Sequence, residues 1–438
     1  MKINYLPLKQ MKKLIAYSYL FFMLLLNACS QQTTIEFGKY YSHVALKSDT
    51  TLSYSIYIPE NNPVNHKLVF ILFDPHGSGE LPVSMYKNLA DEFGITLIGN
   101  NNSANGKDFS SIHTDFTALL NELKSTYNIN EKDIALWGFS GGAKAAIYNA
   151  GFNNNIMYCI YGGSVIKPEN DIELLGFNGN QDMNYTDLLI FSKQEQNNPK
   201  HFQIEFAGKH AWPDTITAKD AFRWFILKKM QKKEISLNKT FVSKSLSIYK
   251  KQVDNLMQTK QYMDAFLSCN KCIHFLHSIS DVSYFNEKKT FISTQSLFRK
   301  QIADLQTSFE KETLLKKQYQ VDFMKKDTLY WKKEIDNLWK LTKTDKDGIY
   351  SRLLGFLSLA SYSYANHAFQ ANDVKALEQI LFIYQHSDPS NPEQAFMRAK
   401  LYTEKSETGN AKAALQEAIK LGIDTNRIEN DALLKGIK

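Results

Sequence analysis

The sequence predicts an α/β half followed by an all-helical half. Three observations carry that prediction. From residue 37 to 232, short apolar runs alternate with helical patterns. A Gly-Phe-Ser-Gly-Gly turn at residues 138–142 joins one such run to an alanine-rich helix. From residue 233 to 438 the chain is lysine-rich at first, and no strand pattern of any strength recurs.

The apolar runs are Lys67–Phe73, Ile95–Gly99, Asp133–Trp137, Ile156–Tyr161, Ile172–Phe177 and Phe202–Phe206. Several are apolar at nearly every position, as strands buried on both faces are. The helical patterns between them, notably Ser110–Tyr127 and Gly141–Gly151, supply the cover. Such alternation implies a mostly parallel sheet with helices on both faces.

The second half carries long helical runs such as Phe309–Lys340. Within Glu393–Lys420, Ala399, Tyr402, Ala411, Leu415 and Ala418 alternate small and bulky positions. Small residues let two antiparallel helices approach, and large ones fill the gap. This spacing resembles a tetratricopeptide-type helix pair, although the usual proline after the second helix is missing. Lys260–Phe275 resembles a more degenerate unit. Arrays of this type bind proteins, so the resemblance implies a protein partner for the helical half.

The N-terminal segment points to an address. Lys9, Lys12 and Lys13 precede a 13-residue apolar run, Leu14 to Leu26, broken only by Ser18. That is short for a bilayer span, which needs about 20 residues, and suits the core of a signal peptide. The run ends in Leu26-Asn27-Ala28-Cys29. This resembles the lipobox of bacterial lipoproteins, which implies cleavage before Cys29 and lipid on its thiol. The segment from Met11 is a complete signal by itself. The expected organisation is a leader at 1–28, a tether at 29–36, the α/β half at 37–232 and the helical half at 233–438. Ser30, Gln31 and Gln32 follow the cysteine without an Asp. By the same resemblance, that favours an outer-membrane anchor facing the periplasm.

Composition narrows the function. The chain has 438 residues, 43% of them hydrophobic, which suits two or three packed domains and excludes a disordered chain. Its formal charge of +7 comes from 52 basic and 45 acidic residues. Four of the lysines lie in the leader, which leaves 48 against 45, or +3, for the rest. So small a surplus, with an exported address, argues against a nucleic-acid partner. Four cysteines are too few for a disulfide scaffold. Cys269 and Cys272 form a C-x-x-C pair without the second pair a zinc site needs; with Leu276 they read as one packed helix face.

The chemistry is concentrated around Ser140. Gly138-Phe139-Ser140-Gly141-Gly142 follows a buried strand and opens a helix, the context of a nucleophile elbow. The glycines permit a sharp turn with Ser140 at its apex, and the helix N-terminus favours developing negative charge. A serine needs a base, and the partners should follow in the order acid, then histidine. His210, in Gly208-Lys209-His210-Ala211-Trp212-Pro213, lies just past the strand Phe202–Phe206. His201 opens that strand and is expected to point along an edge. Asp182 follows the strand Ile172–Phe177 and would orient the imidazole. Its rivals are Asp171, before that strand, and Asp187, further on.

An oxyanion hole needs backbone N–H donors. One is expected from Gly141. The other is expected from Asp74-Pro75-His76-Gly77-Ser78-Gly79, from Ser78 in preference to Gly77. His76 reads as structural rather than catalytic, though it stands near the pocket. Trp212 could wall the pocket, and the asparagines of residues 99–106, Asn101 among them, either line it or hold the loops.

Together these motifs resemble the α/β-hydrolase family, in its subgroup of serine esterases and peptidases with a His-Gly oxyanion loop. The resemblance covers roughly half of the mature chain. It implies acyl transfer through an acyl-serine, with neither metal nor organic cofactor. Three functions compete: a lipid-anchored esterase of carbohydrate or small acyl esters, a peptidase of the same fold, and a non-catalytic lipoprotein whose helical half docks a partner. The intact Ser140, Asp182 and His210 set favours catalysis, and the ester reading stands ahead of the peptide one.

Overall fold

The computed structural model describes residues 35–60, 68–345 and 347–437. The leader and Cys29 lie outside the described residues. Eight strands form one sheet: β1 (Tyr40–Ala45), β2 (Ser53–Tyr57), β3 (Val69–Phe73), β4 (Thr96–Asn100), β5 (Ile134–Phe139), β6 (Tyr158–Gly162), β7 (Glu173–Gly179) and β8 (His201–Phe206). Their order is β1-β2-β4-β3-β5-β6-β7-β8. The strands from β3 to β8 run parallel, while β2 is antiparallel to both β1 and β4. With helices on both faces, this is the α/β-hydrolase-like arrangement that the motif order implies.

The period of two along each strand divides the core. On β3, Phe70 and Leu72 face one side, against α1 (Glu80–Phe93) and α5 (Thr215–Gln231). Val69, Ile71 and Phe73 face the other, against α2 (Phe109–Tyr127) and α3 (Gly141–Gly151), with α4 (Tyr185–Gln194) further along. Trp137 centres the first side, stacked on Tyr86 at 4.9 Å and edge-on to Phe70 at 5.6 Å. All six strands read from the apolar runs are present. β1 and β2 carry no such run. β2 is wholly buried yet holds Ser53 and Ser55, whose polar groups are met by Asn101 and Asn102. A buried strand with serines lacks the apolar continuity that marks its neighbours.

The rest of the chain is helical: α6 (Lys239–Gln258), α7 (Tyr262–Leu276), α8 (Ser283–Thr294), α9 (Ser296–Asp322), α10 (Thr328–Thr342), α11 (Ile349–Gln370), α12 (Val374–Ser387), α13 (Pro392–Glu404), α14 (Thr408–Leu421) and α15 (Thr425–Asn430). The stretch 309–340 is two helices, not one. Asp327 ends the break by accepting a hydrogen bond from Tyr330 N–H at 2.8 Å, an N-cap that starts α10. Phe323 and Trp331 then tuck together across the break, 5.7 Å apart. α13 and α14 pack through Ala395, Phe396, Ala399, Ala414, Leu415 and Ala418. No helix among the described residues is long and apolar enough to cross a membrane.

The hydrophobic core does not stop at residue 232. One continuous cluster runs from Phe70 and Trp137 through Trp224 and Phe225 into Tyr249, Val253, Cys269, Cys272, Phe275 and Leu276. Cys269 and Cys272 are buried free thiols on the packed face of α7, and burial pushes the Cys269 thiol up to about 11. A buried hydrogen-bonded trio ties the same junction: Asp220 on α5 accepts from Tyr249 O–H at 3.0 Å and from Lys271 Nζ at 2.6 Å.

His201 does not point along an edge. It is buried, its Nε2 lies 2.8 Å from Tyr161 Oη, and burial lowers its pKa to about 4. His274, stacked on Phe202, is pushed down further by burial. Both are neutral when folded and gain a proton near pH 6.5 when unfolded. The unfolded chain therefore binds more protons as pH falls below 6.5, and stability is lost in that direction. Each contributes a slope of up to about 1.4 kcal/mol per pH unit between pH 6 and 4. Urea unfolding of His201→Gln across that window should show a shallower pH slope than the native chain; an unchanged slope would contradict the burial argument.

Candidate active site

The site stands at the carboxyl ends of β3, β5, β7 and β8, where parallel sheets present their ligand-binding loops. At its centre β5 runs into α3 through Ser140, which adopts φ 52° and ψ −124°. A non-glycine residue held there costs about 1–3 kcal/mol, sustained only when the surroundings enforce it. The enforcement is steric. A Cβ on Gly138 would stand 2.2 Å from the Gly142 carbonyl oxygen, and one on Gly142 would stand 2.0 Å from that of Phe73. Only glycine at both positions lets α3 close onto β5 and β3. Ser140 N–H donates to the Gly162 carbonyl at 2.8 Å, which holds the apex to β6.

Ser140, His210 and Asp182 meet. His210 Nε2 lies 3.0 Å from Ser140 Oγ. His210 Nδ1 lies 2.9 Å from each carboxylate oxygen of Asp182. Asp182 is 1% exposed, and its Oδ1 also accepts from Asn184 N–H at 2.8 Å. Phe139 packs against the imidazole at 4.8 Å between centroids. This arrangement can draw a proton from the serine hydroxyl while a buried carboxylate fixes the ring and balances the imidazolium. The rivals are elsewhere: Asp171 pairs with Lys200 at the surface, and Asp187 lies in the first turn of α4.

The acid and histidine loops are bound to each other by backbone. Asn180 N–H donates to the Phe206 carbonyl at 2.9 Å, and Gln181 N–H to that of Gly208 at 2.8 Å. Gly163, at φ +67°, sits beneath both. A Cβ there would stand 2.9 Å from His210 Cε1, while its carbonyl accepts from Asn184 Nδ2 at 2.7 Å.

The loop after β3, where an oxyanion donor is expected, divides its N–H groups. His76 N–H is engaged by Asp74 Oδ1 at 2.9 Å, and Gly77 N–H by the Asp74 carbonyl at 3.1 Å. Gly79 N–H donates to Asn101 Oδ1 at 2.8 Å. Among the described residues, the N–H groups of Ser78 and Gly141 have no such partner. Gly77 is thus a turn residue at φ +77°, not a free donor. Gly141, as the first residue of α3, presents one of the orphan donors of a helix N-terminus.

Other residues take roles that the sequence alone left open. Asn101 does not line a pocket. Its Oδ1 also accepts from Ser55 O–H at 2.9 Å and its Nδ2 donates to the Ser42 carbonyl at 3.1 Å, so it staples the oxyanion loop to the sheet edge. Trp212 lies buried behind the histidine rather than walling an open pocket, and its Nε1–H donates to Asp74 Oδ2 at 2.7 Å. His76 is exposed, with Nδ1 2.8 Å from Asp74 Oδ1.

One residue near the site was missed, and a second was named only together with its neighbouring asparagines. Asp74 ties His76 to Trp212 and hence the oxyanion loop to the histidine loop. Burial raises its carboxyl, but the hydrogen bonds from His76 and Trp212 outweigh that and hold it below the ordinary value. Its signal was an acid ending a buried strand beside a His-Gly turn. Asn105 reaches over the elbow, close enough that a Cβ on Gly141 would meet its Oδ1 at 1.7 Å. It sits in a run of asparagines, where nothing in the sequence separates it from Asn101.

No family model matches the chain, and no curated protein matches it. Among solved structures, Est1E from Butyrivibrio proteoclasticus aligns at 16% identity over 43% of this chain and 99% of that one, with a TM-score of 0.35. The chemistry is therefore read from the site's own geometry.

Gly163→Ala tests how tightly that geometry is held. The added methyl meets His210 and must also adopt a positive φ. The rate of fluorophosphonate labelling should fall on the order of 100-fold, as for a displacement of about 1 Å. An unchanged rate would mean that the histidine tolerates displacement.

Proposed function

We propose that the protein is a serine hydrolase that cleaves an ester through an acyl-serine intermediate. The observation that carries this reading is the unbroken chain from Ser140 Oγ through His210 to buried Asp182. In the reaction, His210 takes the Ser140 proton as the hydroxyl oxygen attacks the acyl carbon. The N–H groups of Gly141 and Ser78 receive the developing oxyanion. His210 then returns the proton to the leaving alcohol, water attacks the acyl-serine as His210 takes its proton, and His210 gives that proton to Ser140 Oγ as the acyl–oxygen bond breaks and the free acid leaves. Asp182 holds the imidazole in the required tautomer throughout.

A carbohydrate or small acyl ester is the favoured substrate class, with a peptide bond the alternative at the same triad. Incubation of the full chain with a fluorophosphonate should label it at one site, and Ser140→Ala should abolish the label. Labelling that persists in the alanine variant would overturn the reading. Hydrolysis rates on short-chain nitrophenyl esters against aminoacyl amides then separate esterase from peptidase.

The lipobox-like Leu26-Asn27-Ala28-Cys29 supports export and a lipid anchor at Cys29. Metabolic labelling with a fatty-acid analogue should modify the native chain and not Cys29→Ser. Equal labelling of both would overturn the anchor.

A further inference from the structure

The acid loop is gripped from outside the sheet by the helical half. Arg352, on α11, is 1% exposed and makes its contacts at the junction. Its Nε donates to Glu312 Oε2 on α9 at 2.7 Å, and its Nη1 donates to the carbonyls of Asn180 and Asp347, both at 2.5 Å. Its guanidinium also lies over the Tyr185 ring at 4.6 Å. Lys316, one turn along α9 from Glu312, donates to the Met183 carbonyl at 2.8 Å and to Thr186 Oγ1 at 3.0 Å. Its ammonium is 2.8 Å from Glu312 Oε1. Asn180, Met183, Tyr185 and Thr186 are the residues around Asp182.

Three further features fit this grip. Glu312 is 0% exposed, and among the described residues its carboxylate is paired with Arg352 and Lys316. Gly348, at φ +74°, opens α11 directly against the loop, where a Cβ would stand 2.5 Å from the Asn180 carbonyl oxygen. Gly355, two turns on, faces Met183, where a Cβ would stand 3.1 Å from the Met183 Cβ. The arrangement is a fitted seat: glycines where backbone comes close, and two cations, Arg352 buried and Lys316 half-buried, where carbonyls need donors.

We propose that Arg352 and Lys316 are positioning residues of the triad, holding the 180–186 loop so that the Asp182 carboxylate stays on His210. The helical half is thereby a component of the active site. This rests on the reading of Asp182 as the triad acid. On its inner side the acid loop is tied to the histidine loop by two backbone bonds and by the Asp182–His210 pair itself. Without the outer grip, the loop keeps its sequence and its β7 attachment but loses the N–H groups that donate to its carbonyls and set its height above the sheet.

A double-mutant cycle on the full chain tests this, read as the second-order rate of fluorophosphonate labelling. Asp182→Asn alone should slow labelling by roughly 10⁴-fold. Arg352→Met should slow the native chain on the order of 10- to 100-fold. In the Asp182→Asn background it should cost less than about 3-fold, because the carboxylate it positions is already gone. Equal losses in both backgrounds would assign Arg352 a merely structural role and overturn the proposal, as would full activity of Arg352→Met in the native chain. Native-rate labelling by Asp182→Asn would instead overturn the triad reading itself. If Arg352→Met fails to fold, Gly348→Ala provides the same cycle with Arg352, Lys316 and Glu312 all retained, because its methyl presses on the Asn180 carbonyl and on Arg352 Nη1, and the same outcomes decide.

Discussion

Everything at the site depends on one close approach of backbone to backbone. Gly142 lies against the end of β3, and Gly138 lies against Gly142, with no room for a Cβ at either. That contact places the first turn of α3 directly over the sheet and forces Ser140 to φ 52°. The strain of about 1–3 kcal/mol is local. The forces that sustain it are not: Ala143, Ala145, Ala146 and Ile147 of α3 are all buried against the sheet. A helix so anchored cannot relax its first residue without lifting apolar surface into water. Ser140 is presented by core packing, not by contacts of its own side chain.

The remaining site groups sit on loops, and loops need fastening to be useful in catalysis. The fastenings here are mostly buried polar bonds. Asp74 joins the oxyanion loop to Trp212 and so to the loop of His210. Tyr86 on α1 donates to the Pro213 carbonyl at 2.6 Å from a buried position. Asn101 ties Gly79 to the strands at the sheet edge. Each is a polar group satisfied in a low-dielectric setting, where losing a partner costs about 1–3 kcal/mol. Such bonds fix direction as well as distance, which apolar packing alone does not.

What could be read from the sequence follows from how local its cause is. The parallel strands were legible because burial on both faces leaves little but apolar residues, as in Val69–Phe73. The serine turn was legible because only glycines permit it. Asp182 and His210 were legible because strand order and chain order agree in this arrangement. Asn101 and Asn105 could not be told apart, since an amide's partner depends on the loop that carries it. Arg352 and Glu312 were illegible for a related reason. Glu312 stands among lysines, where an acid reads as a solvated face, and the carbonyl that Arg352 meets is 172 residues away in sequence.

The change in composition near residue 232 marks a change in secondary structure, not a boundary between cores. Tyr249, Val253, Phe275 and Leu276 belong to the same apolar cluster as Trp137 and Trp224. Burying each such side chain is worth about 1.5–3 kcal/mol, so these four together contribute on the order of 10 kcal/mol, as an upper bound. That is comparable with the whole net stability of a typical domain, about 5–15 kcal/mol. Tyr249 and Lys271 also satisfy Asp220, which would otherwise be left in an apolar wall with only Arg223 at 3.6 Å. The sheet face that carries Trp137 is therefore completed by α6 and α7, and α9 and α11 then meet the acid loop on the far side of that joint. The helical half thus first finishes the core and then touches the loop of Asp182, so any shift in its seat is delivered to the Asn180 and Met183 carbonyls, each one hydrogen bond from Arg352 or Lys316.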